Sequence, residues 1–245
     1  MPLLSTRVRI DLDDSYEDFM GGYLAVPEVE TRGGLIVLQE IFGVTDAMRA
    51  IAIDFANQGY LTLVPDIFWR IERNLELGNG EDPVQRQRAV DVTARFDEAL
   101  GTTDIARSMD WLVEWGGLRQ RPAVLGFCLG GRLAVQVSAV AEPPCAVSMY
   151  GVKLNSLATE IGRTPCPLQF HFGENDNHNP MPTILEVKQL VEQRERSSDE
   201  FYTYPAAEHA FYNRFRTDRF DEASHQLARA RVLEFLERHV PPPQY

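Results

Sequence analysis

The stretch "AVLGFCLGG", residues 123–131, limits the folds open to this chain more than any other. A short apolar, β-rich run meets a helix-forming run with no loop between them. The corner carries a thiol, Cys128, among Gly126, Gly130 and Gly131. A strand turns this sharply into a helix only with strained dihedrals and a close approach to the helix, where a Cβ would collide. The glycines meet that demand. The turn lifts Cys128 to a helix N-terminus, whose partial positive charge favours a thiolate and, during a reaction, an oxyanion. A cysteine that only fills a core needs no such setting, so Cys128 reads as a nucleophile.

The remaining periodicity predicts where that corner sits. "TRVRIDL" and "FMGGYLAVP" read as two strands joined by an acidic turn. "GGLIVLQE" (33–40) suits a fully buried parallel strand. In "TDAMRAIAIDFANQGY" the apolar Met48, Ile51, Ala52 and Phe55 recur at helical spacing, and Gly59 ends the run. "LTLVPD" is the next strand. Residues 70–82 are polar, with a Gly-Asn-Gly turn, and predict a surface loop before helices over 83–100 and 103–115. After the corner, "CAVSMYG" and "PLQFHFG" are strands, "MPTILEVKQLVEQRER" a helix, "EFYTYP" a strand and "FDEASHQLARARVLEFLERHV" the closing helix. Strands alternating with helices predict a mostly parallel sheet covered on both faces. No linker or repeat divides the chain, which predicts a single α/β domain over 1–245.

Composition narrows the partners. The 245 residues carry a formal net charge of -12, which repels phosphate backbones and anionic lipid heads. Neither nucleic acid nor membrane is expected, and an anionic substrate needs a local basic spot. Cys128, Cys145 and Cys166 cannot pair completely and lack metal-type spacing, which fits a reduced compartment. The start, "MPLLSTRVRIDLDD", does not resemble a signal peptide, and no apolar run reaches the ~18 residues of a membrane span. The expectation is a cytoplasmic protein.

Reactive groups of a doubly wound sheet gather at the carboxyl ends of its strands. "VLQEIFG" ends there with Glu40, "AVLGFC" with Cys128, "QFHFGEND" with Asp176 and "TYPAAEH" with His209. Nucleophile, acid and histidine follow in the order of an α/β-hydrolase triad, and the corner departs from G-x-S-x-G by cysteine in place of serine. With "LQEIFGV" at 38–44, "PDIFWR" at 65–70, "GFCLGG" at 126–131, "YGV" at 150–152, "HFGEND" at 171–176 and "AAEHAF" at 206–211, the chain resembles the dienelactone hydrolase family of α/β-hydrolases over nearly its whole length.

The resemblance implies an ester or lactone hydrolase with an α/β-hydrolase fold. Cys128 would be the nucleophile, His209 the base and then acid, and Asp176 the residue that orients the imidazole. Backbone N–H groups of Ile41 and Leu129 would form the oxyanion hole, and Glu40 would pair with the resting thiol. Arg70 would hold a substrate carboxylate beside an apolar wall from Trp69, with Tyr150, Phe211 and Arg214 also at the substrate. The chain departs from the pattern at two points. Asn213 stands where the family has a second carboxylate-binding arginine, and Asn74 stands where a tyrosine is common. The reaction class carries over, whereas the substrate does not, and a phosphotriester side activity stays open because its P=O also gathers negative charge.

Other readings of these residues stand beside the sharp ones. Cys145 and Cys166 read as core residues, His171 as a satisfied core histidine, and His225 and His239 as surface residues of the closing helix. Glu174 competes with Asp176 as the triad acid. "HFGENDNH" gathers possible ligands, but a strand-to-loop corner throws such side chains in different directions, so neither metal nor cofactor is expected. Rival functions are a non-catalytic binding protein and a thiol redox sensor with Cys145 as resolving partner.

Overall fold

Six-residue runs buried at every position, such as Gly33–Leu38 and Tyr60–Pro65, are the signature of strands covered on both faces. In the computed structural model, which describes residues 4–12 and 19–241, they lie inside one sheet. Its strands are β1 (Leu4–Asp11), β2 (Phe19–Val26), β3 (Gly33–Leu38), β4 (Tyr60–Pro65), β5 (Ala123–Phe127), β6 (Ala146–Met149), β7 (Leu168–Gly173) and β8 (Glu200–Tyr204). They are ordered β1-β2-β4-β3-β5-β6-β7-β8. β2 pairs antiparallel with β1 and β4, and every pair from β4 to β8 is parallel. The acidic turn expected between β1 and β2 falls outside the described residues.

The helices are α1 (Asp46–Asn57), α2 (Pro83–Thr93), α3 (Glu98–Gly116), α4 (Leu129–Ala141), α5 (Ala158–Arg163), α6 (Met181–Glu192) and α7 (Glu222–His239). Alternate residues of β3 point to opposite faces. Leu35 and Val37 join a core with Met48 and Phe55 of α1 and Val232 and Phe235 of α7. Ile36 and Leu38 join another with Met109 of α3, Leu133 and Val137 of α4 and Ile184 of α6. This is the α/β-hydrolase fold that the sequence implied. Among the described residues, no helix is long and apolar enough to cross a membrane.

Three local expectations are corrected. The helix expected over 83–100 stops at Thr93, and the one expected over 103–115 already begins at Glu98. The cause is Asp97, whose Oδ1 accepts the amide N–H groups of Ala99 and Leu100 and so starts a new helix. The short α5 carries too few apolar positions to show a period. His225, expected at the surface, is buried, with its ring 4.3 Å from that of Tyr212 and 5.4 Å from that of Phe220. The segment between β8 and α7 folds over the first turns of α7 and covers it.

The chain crosses from β3 to β4 on one side and then to β5 on the other. The crevice of the sheet therefore opens between the carboxyl ends of β3 and β5. There Cys128 has φ 54° and ψ -112°, a conformation that costs about 1–3 kcal/mol. A Cβ on Gly126 would fall inside the Gly130 carbonyl, and one on Gly130 inside the Leu38 carbonyl. We expect Gly130→Ala to lower the unfolding free energy by at least about 2 kcal/mol, because the obstacle is backbone. Gly162→Ala in α5, where a Cβ meets nothing within 4 Å, should be neutral or stabilising. Urea denaturation of both variants checks the pair.

Candidate active site

Cys128 follows β5, Asp176 follows β7 and His209 follows β8, so the parallel register delivers all three to one edge of the sheet. His209 Nδ1 donates to Asp176 Oδ2 at 2.7 Å, both groups being buried. Three further donors reach the carboxylate. Asn179 Nδ2 lies 2.9 Å from Oδ2, while the His178 and Asn179 amides lie 2.7 and 3.2 Å from Oδ1. Burial works against the Asp176 charge, but these bonds and the facing imidazole hold its pKa below the ordinary carboxylate value. Glu174, the competing acid, instead accepts from Thr203 Oγ1 at 2.7 Å.

With Nδ1 committed to Asp176, the His209 imidazole presents its other nitrogen, Nε2, for the thiol. Burial opposes the charged imidazolium. The interaction with the Cys128 thiolate and the bond to Asp176 outweigh that penalty and raise His209 to about 10.

Glu40 has hydrogen-bond partners of its own. It is buried, with Oε1 accepting from Tyr150 Oη at 3.2 Å and Oε2 from Asn213 Nδ2 at 3.1 Å. The hydrogen bonds of Glu40 thus run to Tyr150 and Asn213, and its expected pairing with the thiol is not among them. Burial and the neighbouring Glu40 keep the Tyr150 hydroxyl protonated, as a donor must be. Tyr150 is itself fully buried and packs edge-on against His209, 5.0 Å between centroids, with Phe211 5.6 Å behind it. Tyr150 and Phe211, expected at the substrate, form the floor beneath the imidazole instead.

The thiol opens into a recess. Glu40, Ile41, Cys128 and His209 line it, and Leu129 begins α4 with an amide that has no acceptor in its own helix. The basic side of the recess comes from Arg86, Arg216 and Arg219. Arg70, expected there, forms a bidentate pair with Asp104 at 2.7 and 3.0 Å and lies over the Trp69 ring at 4.2 Å. Trp69 Nε1 donates to the same carboxylate at 2.9 Å. Arg214, also expected there, points to the far side of its segment, where its Nε donates to His225 Nε2 at 3.2 Å.

Several residues at the site were missed from sequence. Arg86 looks like any charge on a polar helix. Arg216 and Arg219 lie in a loop without period, and Asn213 was noted only as a departure. His178 was weighed above only as part of a metal site, and Asn179, next to it, not at all. His178 shares the recess, its ring 4.5 Å from that of His209.

Removing the thiolate should let burial dominate. In Cys128→Ala the His209 imidazole should titrate well below its wild-type value, as followed by NMR. The sign for stability follows. A histidine raised above its ordinary 6.5 stabilises the fold fully below about pH 6.5, and that contribution is lost as pH rises toward 10. Wild type should thus lose more unfolding free energy than Cys128→Ala between pH 7 and 10.

With this geometry, known proteins were compared. A family model described as the dienelactone hydrolase family matches residues 20–240. A carboxymethylenebutenolidase of Pseudomonas sp. (strain P51) is 30% identical over 228 residues, covering 90% of this chain and 91% of the relative. Carboxymethylenebutenolidase 1 of Cupriavidus pinatubonensis is 29% identical over 218 residues, 88% of this chain and 90% of that one. Among solved structures, a dienelactone hydrolase-like promiscuous phosphotriesterase from metagenomic libraries superposes with a TM-score of 0.76 at 18% identity, covering 96% of this chain and 98% of that one.

Proposed function

The chain belongs to the dienelactone hydrolase family, and from that premise we propose that it hydrolyses esters or lactones by thiolate attack from Cys128. The observation that carries the reading is the line Asp176–His209–Cys128, with the thiol on a strained strand-to-helix corner. The thiolate adds to the substrate carbonyl, and the developing oxyanion lies where the Ile41 and Leu129 amides can donate to it. The tetrahedral adduct collapses to a thioester as the C–O bond breaks, and the His209 imidazolium gives its proton to the leaving alkoxide. The neutral imidazole then takes a proton from water, whose oxygen attacks the thioester. The acid leaves and the thiolate–imidazolium pair is restored. In a lactone the leaving alcohol stays tethered, so there is one product.

Substrate charge is read at the mouth. Arg216 is bound by Asp218 at 3.0 Å through two nitrogens, and Arg219 reaches the same carboxylate at 3.4 Å. Arg86 spends Nε and one terminal nitrogen on the Gly80 carbonyl, at 2.9 and 2.6 Å, and among the described residues has no carboxylate partner. An anionic ester or lactone would find its counter-charge there, against the long-range repulsion of a -12 chain. Arg70, saturated by Asp104, would hold the loop after β4.

A redox-sensor role is disfavoured because Cys145 is buried just before β6 whereas Cys128 follows β5, at opposite ends of neighbouring parallel strands. A phosphotriester can use the same nucleophile and amides. That second reading is favoured by the metagenomic structural neighbour alone, and steady turnover of an activated triester would establish it.

A panel of aryl esters, lactones and triesters tests the whole reading. Cys128→Ala should lower kcat by on the order of 10⁴-fold, and mass spectrometry of wild type with an activated ester should find the acyl group on Cys128. Acylation elsewhere, or unchanged turnover in the variant, would sink the mechanism. Arg86→Gln should raise KM about tenfold for a carboxylate-bearing lactone while leaving a neutral aryl ester nearly unchanged. Arg70→Gln should affect both substrates alike.

A further inference from the structure

The segment that delivers His209 has a second face. On it lies another recess, which shares no lining residue with the Cys128 pocket. Ala47, Ala50 and Ile51 of α1 and the exposed Phe215 make its apolar side. Its polar end is built by Arg214, His225, Tyr212 and Asp54.

Each polar group there has a defined state. His225 is 4% exposed, and its Nδ1–H donates to the Tyr212 carbonyl at 2.9 Å, which leaves Nε2 to accept from Arg214 Nε. The guanidinium is therefore aimed by a buried neutral imidazole. Asp54 is satisfied by a bidentate pair with Arg229 at 2.6 and 2.8 Å. Arg214, by contrast, has no carboxylate partner among the described residues, so the recess carries an unmatched positive charge. The Tyr212 hydroxyl is buried without a hydrogen-bond partner, and Asp54, Arg229 and Arg214 are the charged groups that act on it. A buried hydroxyl left so costs about 1–3 kcal/mol.

We propose that this recess is a binding site for a compact organic carboxylate, with its ring or branched chain against α1 and Phe215 and its carboxylate between the Arg214 guanidinium and the Tyr212 hydroxyl. The bound anion supplies the two things the recess lacks, a counter-charge and an acceptor. Asn213 lies in the same wall and holds Glu40 of the other pocket, so an occupant touches the residue that fixes Glu40.

Isothermal titration of the full chain with benzoate tests this, with benzamide as the neutral isostere. The protein is used both untreated and alkylated at Cys128 with iodoacetamide, which closes the first pocket and makes the outcome independent of any hydrolytic mechanism. Benzoate should bind both forms with the same Kd, and benzamide about tenfold more weakly. Arg214→Gln should weaken benzoate about tenfold. Tyr212→Phe should weaken it several-fold while leaving the fold as stable or more so, since it removes the unpartnered hydroxyl. Absence of benzoate binding at millimolar concentration, its loss on alkylation, or equal affinity in Arg214→Gln would overturn the proposal.

Discussion

The contact between the end of β5 and the start of α4 sets the position of everything else at the site. Backbone lies against backbone there, because Gly126 and Gly130 leave no Cβ in the way. The strain at Cys128 is held by hydrogen bonds from three directions. The Gly130 amide donates to the Gln39 carbonyl beyond β3 at 3.0 Å, the Cys128 amide to the Met149 carbonyl of β6 at 3.0 Å, and the Val152 amide to the Cys128 carbonyl at 3.3 Å. The corner thus joins the ends of three neighbouring strands. These bonds fix the backbone that carries the thiol.

Around the corner, charge is arranged in two separate circuits. One runs from Asp176 to His209, whose pKa the carboxylate and the neighbouring Cys128 raise against the effect of burial. The other ties Glu40 to Tyr150 and Asn213. Glu40 and Asp176 are thus held by different partners. Tyr150 serves both circuits, its hydroxyl on Glu40 and its ring against His209.

The segment over 205–221 connects the two recesses. His209, Ala210 and Arg216 face the thiol, while Tyr212, Arg214 and Phe215 face α1, with Asn213 between them. Buried His225 of α7 fixes the segment from below through the Tyr212 carbonyl and Arg214. A histidine whose role is to anchor a loop looks no different in sequence from one exposed on a helix. Its burial was accordingly missed.

The sequence by itself determined the order of the strands, the thiol on its corner and the places of Asp176 and His209 after later strands. Strands and helices imprint a period of two or 3.6 on apolar residues. Strand ends of a parallel sheet converge, so Glu40, Cys128, Asp176 and His209 were bound to meet at one edge. Partners of charged side chains obey no period. Tertiary structure alone decided that Arg70 is spent on Asp104, 34 residues away, and that Glu40 is held by Asn213, 173 residues away. It alone turned Arg86 toward the thiol and Arg214 away from it. A guanidinium or carboxylate goes where its desolvation is best compensated, and that depends on which distant elements packing happens to bring within hydrogen-bonding reach.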